Sequence, residues 1–322
     1  MKSDGKLNAS GFVIQGFSEI PELQMLLFGI FLLLYIMIIC GNLTIIVTIW
    51  KTIHLHTPMY IFLVNLSFID IASISNILPK LLSLLCIKIK TISFIGCLTQ
   101  MYVFLSLSGT EFFLLAAMAY DRYVAICHPL HYIVLIGLKQ CARFSFVSWF
   151  LGFLTPTGHT VLISKLYFCL NNIINHFFCD INPILQIACT DTSVFYIITC
   201  IEGILLGLTG FMLILISYVF IIFAILKIKS TKGQHKAFST CTAHLTCVII
   251  FYGTMICMYM RPKSTFSPKL DKYFSLLYII LVPMLNPIIY SLKNEDIRKV
   301  LIKTKEMLIW HAKARCQIFL KH

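Results

Sequence analysis

Charge is scarce in this chain. Only 12% of its residues are Asp, Glu, Lys or Arg, about half the share found in soluble domains, ~25%. With 59% hydrophobic residues and a mean hydropathy of +0.89, a soluble globular protein is excluded. Acidic residues are fewest, 13 against 26 Lys and Arg. Residues 1–24 lack a basic stretch followed by a short apolar core. We therefore expect no cleavable signal peptide, and expect the first apolar run to serve as the targeting signal. No internal repeat is visible, which argues against a transporter built from paired halves with broken helices. No polar stretch is long enough to form a soluble module.

What is present is a series of apolar runs. Seven stretches reach the roughly 20 residues that a membrane-spanning helix needs, near 25–50, 58–83, 97–121, 141–163, 197–226, 237–260 and 271–291. The expected fold is an all-α membrane protein, a seven-transmembrane helix bundle. Placing the N-terminus outside puts 16 of the 26 Lys and Arg on the inner side, including Lys227, Lys229, Lys232, Arg298 and Lys299. Only four acids oppose them there, so the positive-inside rule selects this orientation. The net charge of +13 is thus a cytoplasmic face meeting anionic membrane lipid, and no nucleic-acid partner is expected. Residues 1–24 form an extracellular tail, 25–291 the seven-span domain, and 292–322 a cytoplasmic amphipathic helix and tail. The helix is read from Ile297, Val300, Leu301 and Leu308, which recur at helical spacing among basic residues behind a cap at Asn294.

Four of the 13 cysteines face outward: Cys97, Cys169, Cys179 and Cys189. An even number on an oxidising side points to disulfides, and four cysteines allow three pairings. Zinc held with His176 is the competing reading, but the ten-residue spacing matches no compact metal site. Asn8-Ala9-Ser10 is a glycosylation sequon on the outer tail. The sequons at Asn42 and Asn65 fall inside spans and are discounted.

Carboxylates inside the spans are costly and need a reason. Asp70 lies about 18 Å into span two and Glu111 about 21 Å into span three, counted at ~1.5 Å per residue. At similar depth they would share a proton, a water cluster or a cation, so the pair is a candidate Na+ site; otherwise both are protonated and hydrogen-bonded. No other cofactor is expected. Glu202 lies only about 8 Å below the outer end of span five. It faces either an outward-opening cavity or interfacial water. On span three, Met101, Phe104, Leu105, Ser108 and Phe112 share a helical face that lines a pocket or simply packs. On span six, Tyr259 stands two turns above Tyr252. A cavity with few polar handles suits a small molecule with one polar group, and a hydroxyl or amine donor on it could meet Glu202.

The sequence MAYDRYVAICHPLHY at 118–132 places Asp121 and Arg122 at the end of span three. Together with Gly41-Asn42, LHTPMYIFLVNLSFID at 55–70, Ser217-Tyr218, KAFSTCTAHL at 236–245, FYGT at 251–254 and PMLNPIIYSLKN at 283–294, it resembles the olfactory receptors, rhodopsin-like G-protein-coupled receptors, in wording closest to the tetrapod-type class. The resemblance covers nearly the whole chain. It implies an odorant receptor that binds a small-molecule odorant in the outer half of the bundle. It implies activation of a heterotrimeric G protein of the stimulatory, olfactory type, raising cyclic AMP, and a place in the plasma membrane of olfactory sensory cilia. It implies no enzyme. The motif Asp121-Arg122-Tyr123 would be the switch, with Arg122 held at rest and freed on activation. Tyr218 and Tyr290 would rearrange toward it, and Asn286-Pro287 would kink span seven. Tyr252 would be the toggle below a pocket including Phe104, Leu105 and Ser108. Cys97–Cys179 and Cys169–Cys189 would be the disulfides, and Asp70 with Glu111 the family's acidic pair. Gly210 stands where relatives have proline, and Glu202 where an apolar residue is common. A channel is the rival reading of Asp70, Glu111 and Glu202. An enzyme using His244, Ser239 and Cys241 has no shared cleft to work in.

Overall fold

The computed structural model describes residues 11–17, 20–87, 90–168, 172–259, 267–293, 297–303 and 306. Among them, seven helices are long and apolar enough to cross a membrane. They are α1 (Pro21–Lys51), α2 (Pro58–Cys86), α3 (Phe94–Cys127), α4 (Leu138–Ile163), α5, α6 (Thr231–Tyr259) and α7. The helix α5 runs through Ser193–Glu202, a π-helical stretch Gly203–Leu208, and Thr209–Leu226. Likewise α7 runs through Pro268–Leu276, a π-helical stretch Leu277–Leu281, and Val282–Lys293. Lipid offers no partner to a bare backbone amide, so helices that satisfy their own amides are the form these runs take. Proline at the first turn of α2 costs nothing, because the N–H it lacks would be unpaired there. The Ser93 hydroxyl caps α3 by accepting from the Gly96 N–H at 3.0 Å.

Bilayer tails are as apolar as leucine, so close packing and interhelical hydrogen bonds must hold the bundle together. Outward-facing Leu33, Leu205 and Phe223 stay exposed for lipid, while Phe62, Leu66, Phe104 and Phe251 fill the interior. At Gly109 and Gly152 the backbones of α3 and α4 come so close that a Cβ on Gly152 would lie 2.8 Å from Thr110 Cα. Asn76 and Gln100 exchange side-chain-to-carbonyl bonds between α2 and α3, at 2.9 and 3.0 Å. The Trp149 indole N–H on α4 donates to Asn65 Oδ1 on α2 at 2.9 Å. Asn42 Nδ2 on α1 donates to the Pro283 carbonyl of α7 at 3.0 Å. That carbonyl is the one left open by Pro287, which has no N–H to offer four residues on.

The end of the bundle that carries the N-terminal strand is capped. Strand β1 (Phe12–Ile14) lies between β2 (Thr91–Ile92), antiparallel, and β3 (Ile173–Ile174), parallel. Residues of the expected tail thus enter a small sheet, and Lys272 of α7 donates to the Gln15 and Gly16 carbonyls at 3.1 and 3.0 Å. A Cys97–Cys179 bridge, Cα atoms 5.4 Å apart, ties the loop after α4 to the top of α3. At the opposite end, residues 297–303 are helical; Ile297 is fully buried, and Arg298 and Lys299 are exposed.

Candidate functional site

Beneath that cap α3, α4, α5 and α6 enclose a cavity of about 490 Å³. Leu105 and Ser108 line it from α3, His159 from α4, Glu202 from α5, and Tyr252 and Tyr259 from α6, with Ile181 of the outer loop above. The π-helical turn of α5 brings Gly203 and Gly207 to the wall. Such turns gather at functional sites because the wider backbone re-aims neighbouring side chains. Gly210 leaves room for the Phe112 ring, which a Cβ there would strike. Phe104, expected beside Leu105 and Ser108, does not line the cavity. It is 1% exposed, with its ring edge-on to Phe178 and Tyr278 at 5.1 and 5.7 Å.

The walls are mainly apolar, and the polar groups are few. Ring contacts with Phe112 and Phe211 at 5.5 and 5.2 Å hold Tyr252, whose buried hydroxyl has no partner among the described residues. The Tyr259 hydroxyl contacts Asp180 Oδ1 and Oδ2 at 3.0 and 3.1 Å. This contact and Asn182 Nδ2 on the Met258 carbonyl at 3.2 Å fasten the outer loop to α6. Burial pushes the Asp180 carboxyl up to about 6, although the Ile181 N–H and Tyr259 favour its charged form. Nearby in the loop, burial lowers the His176 imidazole to about 3, so it stays neutral. His159 Nδ1 lies 3.4 Å from Glu202 Oε2, and its Nε2 lies 3.3 Å from Thr199 Oγ1. Sequence reading found Glu202 but not His159 or Thr199.

At the C-terminal end of α3, Asp121 is fully buried and accepts from Arg122 Nε at 2.9 Å, with Arg122 Nη2 also against it. Asp121 has a second donor that the sequence did not reveal. The Tyr132 hydroxyl, in the following loop, donates to Oδ1 at 2.8 Å. Burial first, then the Asp121 charge, pushes the Tyr132 phenol up, so it remains a donor. Tyr123 faces outward to His128, with hydroxyl to Nε2 at 3.2 Å. Across the bundle the Tyr218 hydroxyl donates to the Cys241 carbonyl at 3.2 Å and meets His244 Nδ1 at 2.7 Å, the two rings stacked. Asn286 and Pro287 are buried in α7.

A model of the olfactory receptor family matches residues 31–308. The chain belongs to the olfactory receptor family. Olfactory receptor 10A3 of Homo sapiens is 44% identical over 99% of this chain and 100% of that protein. Olfactory receptor 6B9 of Mus musculus is 45% identical over 92% of this chain and 94% of its own length. Olfactory receptor 1G1 of Gorilla gorilla gorilla is 46% identical over 96% and 98% respectively. The chain is therefore a multi-pass membrane protein of a receptor family, not an enzyme. Within this olfactory receptor, Asp70 and Glu111 are buried at the centre. Asn286 Nδ2 donates to Asp70 at 3.0 and 3.2 Å, and Tyr278 reaches Glu111 Oε2 at 3.3 Å and Ser108 Oγ at 2.9 Å. Two buried carboxylates that meet only neutral donors among the described residues are hard oxygen ligands of the sort Na+ takes. Among the described residues, however, no three His, Cys, Asp or Glu side chains come together. Asn8, Cys169 with its expected pairing to Cys189, and the Tyr290 side chain lie outside the described residues.

Proposed function

We propose that this olfactory receptor is a plasma-membrane odorant receptor of sensory cilia, N-terminus outside, that binds a small volatile molecule in the outer cavity. Binding activates a stimulatory, olfactory-type G protein and raises cyclic AMP. The observation that carries the reading is the cavity: about 490 Å³, within the ~300–1,000 Å³ typical of small-molecule sites. It is mainly apolar but supplied with the Glu202 carboxylate and the Tyr252 hydroxyl, which has no partner among the described residues. A ligand shifts the receptor only by binding one state better than the other. Its contacts on α5 and α6 favour a state in which the inner ends of these helices part and the Tyr218–His244 contact is exchanged. Arg122 then leaves Asp121 and, with the basic inner loops, meets the G protein. Leu105, Ser108, Glu202, Tyr252 and Tyr259 serve the ligand. Asp121, Arg122, Tyr123, Tyr218, Asn286, Pro287 and Tyr290 serve coupling. Asp70 and Glu111 hold Na+ in the resting state, and the helix after α7 lies on the inner membrane surface. The test is a cyclic-AMP reporter in cells displaying the receptor, screened with volatiles. Agonist signals should vanish in Arg122→Ala at equal surface display; signals that persist in that variant refute the coupling scheme.

A further inference from the structure

Glu202 is the acidic residue in the cavity wall, and its charge narrows the ligand class beyond the general reading. Its carboxylate lines a mainly apolar chamber that has no Lys or Arg in its wall among the described residues. Its polar contact there is His159 Nδ1, at 3.4 Å. His159 itself is 4% exposed and is met on its other nitrogen by the Thr199 hydroxyl at 3.3 Å. The three groups form a consistent chain: Thr199 O–H donates to Nε2, and Nδ1–H donates to Glu202. In that arrangement His159 is neutral, so it orients the carboxylate without cancelling its charge. The cavity then holds one net negative charge in a low-dielectric wall. A side chain about one-third exposed (35%) still has open surface for a ligand. A carboxylate in this setting attracts a cation far more strongly than a neutral donor, and repels an acid.

We infer that the ligand class selected by this cavity is small aliphatic amines in their ammonium form, with the charged head on Glu202 and the chain on Leu105, Phe112 and Phe211. His159 and Thr199 act as positioning residues. The inference rests on the odorant-receptor reading and narrows it. Alcohols of equal size bind by hydrogen bond alone, and carboxylic acids of equal size are excluded.

The experiment uses the full chain, purified into phosphatidylcholine nanodiscs, so that the lipid carries no net charge to concentrate amines. Hexylamine, hexanol and hexanoic acid are titrated, and binding is read from the shift in thermal unfolding. Hexylamine should bind at least about tenfold more tightly than hexanol, with hexanoic acid weakest. Glu202→Gln should bring hexylamine to the level of hexanol while leaving hexanol within about threefold, which also reports that the variant is folded. His159→Phe should reduce the amine preference without abolishing hexanol binding. Hexanol binding as well as hexylamine, no hexylamine binding at all, or an amine preference that survives Glu202→Gln would each overturn the inference. A parallel cyclic-AMP assay separates the two readings. Amine binding without signalling leaves the ligand class standing and refutes stimulatory coupling. Signalling by non-amine volatiles, lost in Arg122→Ala, with hexylamine inert, keeps the receptor reading and refutes the amine class.

Discussion

The bond from Asn42 to the Pro283 carbonyl gives the sharpest test of how the bundle is held. Proline at 287 deprives the carbonyl four residues earlier of its helical donor, and Asn42 Nδ2 supplies one from α1 at 3.0 Å. Asn42→Leu keeps nearly the same shape and removes the donor. The orphaned carbonyl is fully inside the bundle, where an unmet acceptor costs about 1–3 kcal/mol. Interhelical hydrogen bonds in membrane proteins have measured near ~0.6 and at most ~1.7 kcal/mol, because the unfolded chain in lipid also finds partners. The expected loss is therefore about 1–2 kcal/mol. Asn42→Leu also breaks the bond from Nδ2 to the Ile38 carbonyl, and a double-mutant cycle removes that contribution. In Pro287→Ala the new N–H can reach the Pro283 carbonyl within α7. Asn42→Leu should then cost about 1 kcal/mol less than in the wild type. Unfolding by SDS titration in mixed micelles, followed by fluorescence of Trp50 and Trp149, gives both numbers. Equal costs in the two backgrounds would refute the reasoning, since they would mean that Asn42 does not stand in for the missing proline N–H.

Four further outcomes test other parts of the structure. Gly152→Ala drives a methyl to 2.8 Å from Thr110 Cα and should destabilise by about 1–3 kcal/mol in the same titration. Gly158→Ala on the same helix meets nothing within 4 Å and should be neutral or stabilising by up to about 1 kcal/mol. Asp180 carries a folded-state value of about 6, raised by burial above its ordinary 3.8. The folded receptor thus holds more protons between those values, and its stability falls as pH rises through about 6. The stability difference between wild type and Asp180→Asn should shift by as much as about 3 kcal/mol between pH 4 and 6.5 and stay flat above, as read by unfolding midpoints across that range. Tyr132→Phe removes the 2.8 Å donor on Asp121, loosening the hold on Arg122. Agonist-independent cyclic AMP should rise about fivefold at matched surface display, the factor a bond of ~1 kcal/mol supplies.

What the sequence could and could not reveal divides along physical lines. The seven spans are legible because lipid demands one thing, a run of about 20 apolar residues, and the chain repeats it seven times. The ends are less legible, since hydropathy marks where lipid stops and not where hydrogen bonding stops. The third apolar run closes at 121, whereas α3 continues to Cys127, so the Asp121-Arg122-Tyr123 triplet lies within the helix. Strand β1 was invisible for another reason. Three residues carry no readable period, and their partners lie some 80 and 160 positions away. Motif wording marks Tyr218 and the KAFSTC segment, but only the fold brings Tyr218 against His244.

The cavity shows the same limit in sharper form. Helical spacing puts Phe104, Leu105 and Ser108 on a common side of α3, but that arc is broad enough to face two neighbours. Leu105 and Ser108 turn to the chamber, while Phe104 is taken by Phe178 of the bridged loop and Tyr278 of α7. The resemblance could not separate them either, because a family motif transmits positions and not the choice between two adjacent fillings. Glu202 was legible as a charge out of place, but its depth left a cavity and interfacial water both open. Its meaning depends on His159, a lone histidine on α4 that looks like any packed one. Only the fold brings the two within 3.4 Å, and a lone carboxylate becomes a selective site through the neighbour that orients it without cancelling its charge. Glu202 should therefore set the ligand class, because a charge in an apolar wall admits or excludes a ligand more decisively than a change of apolar shape.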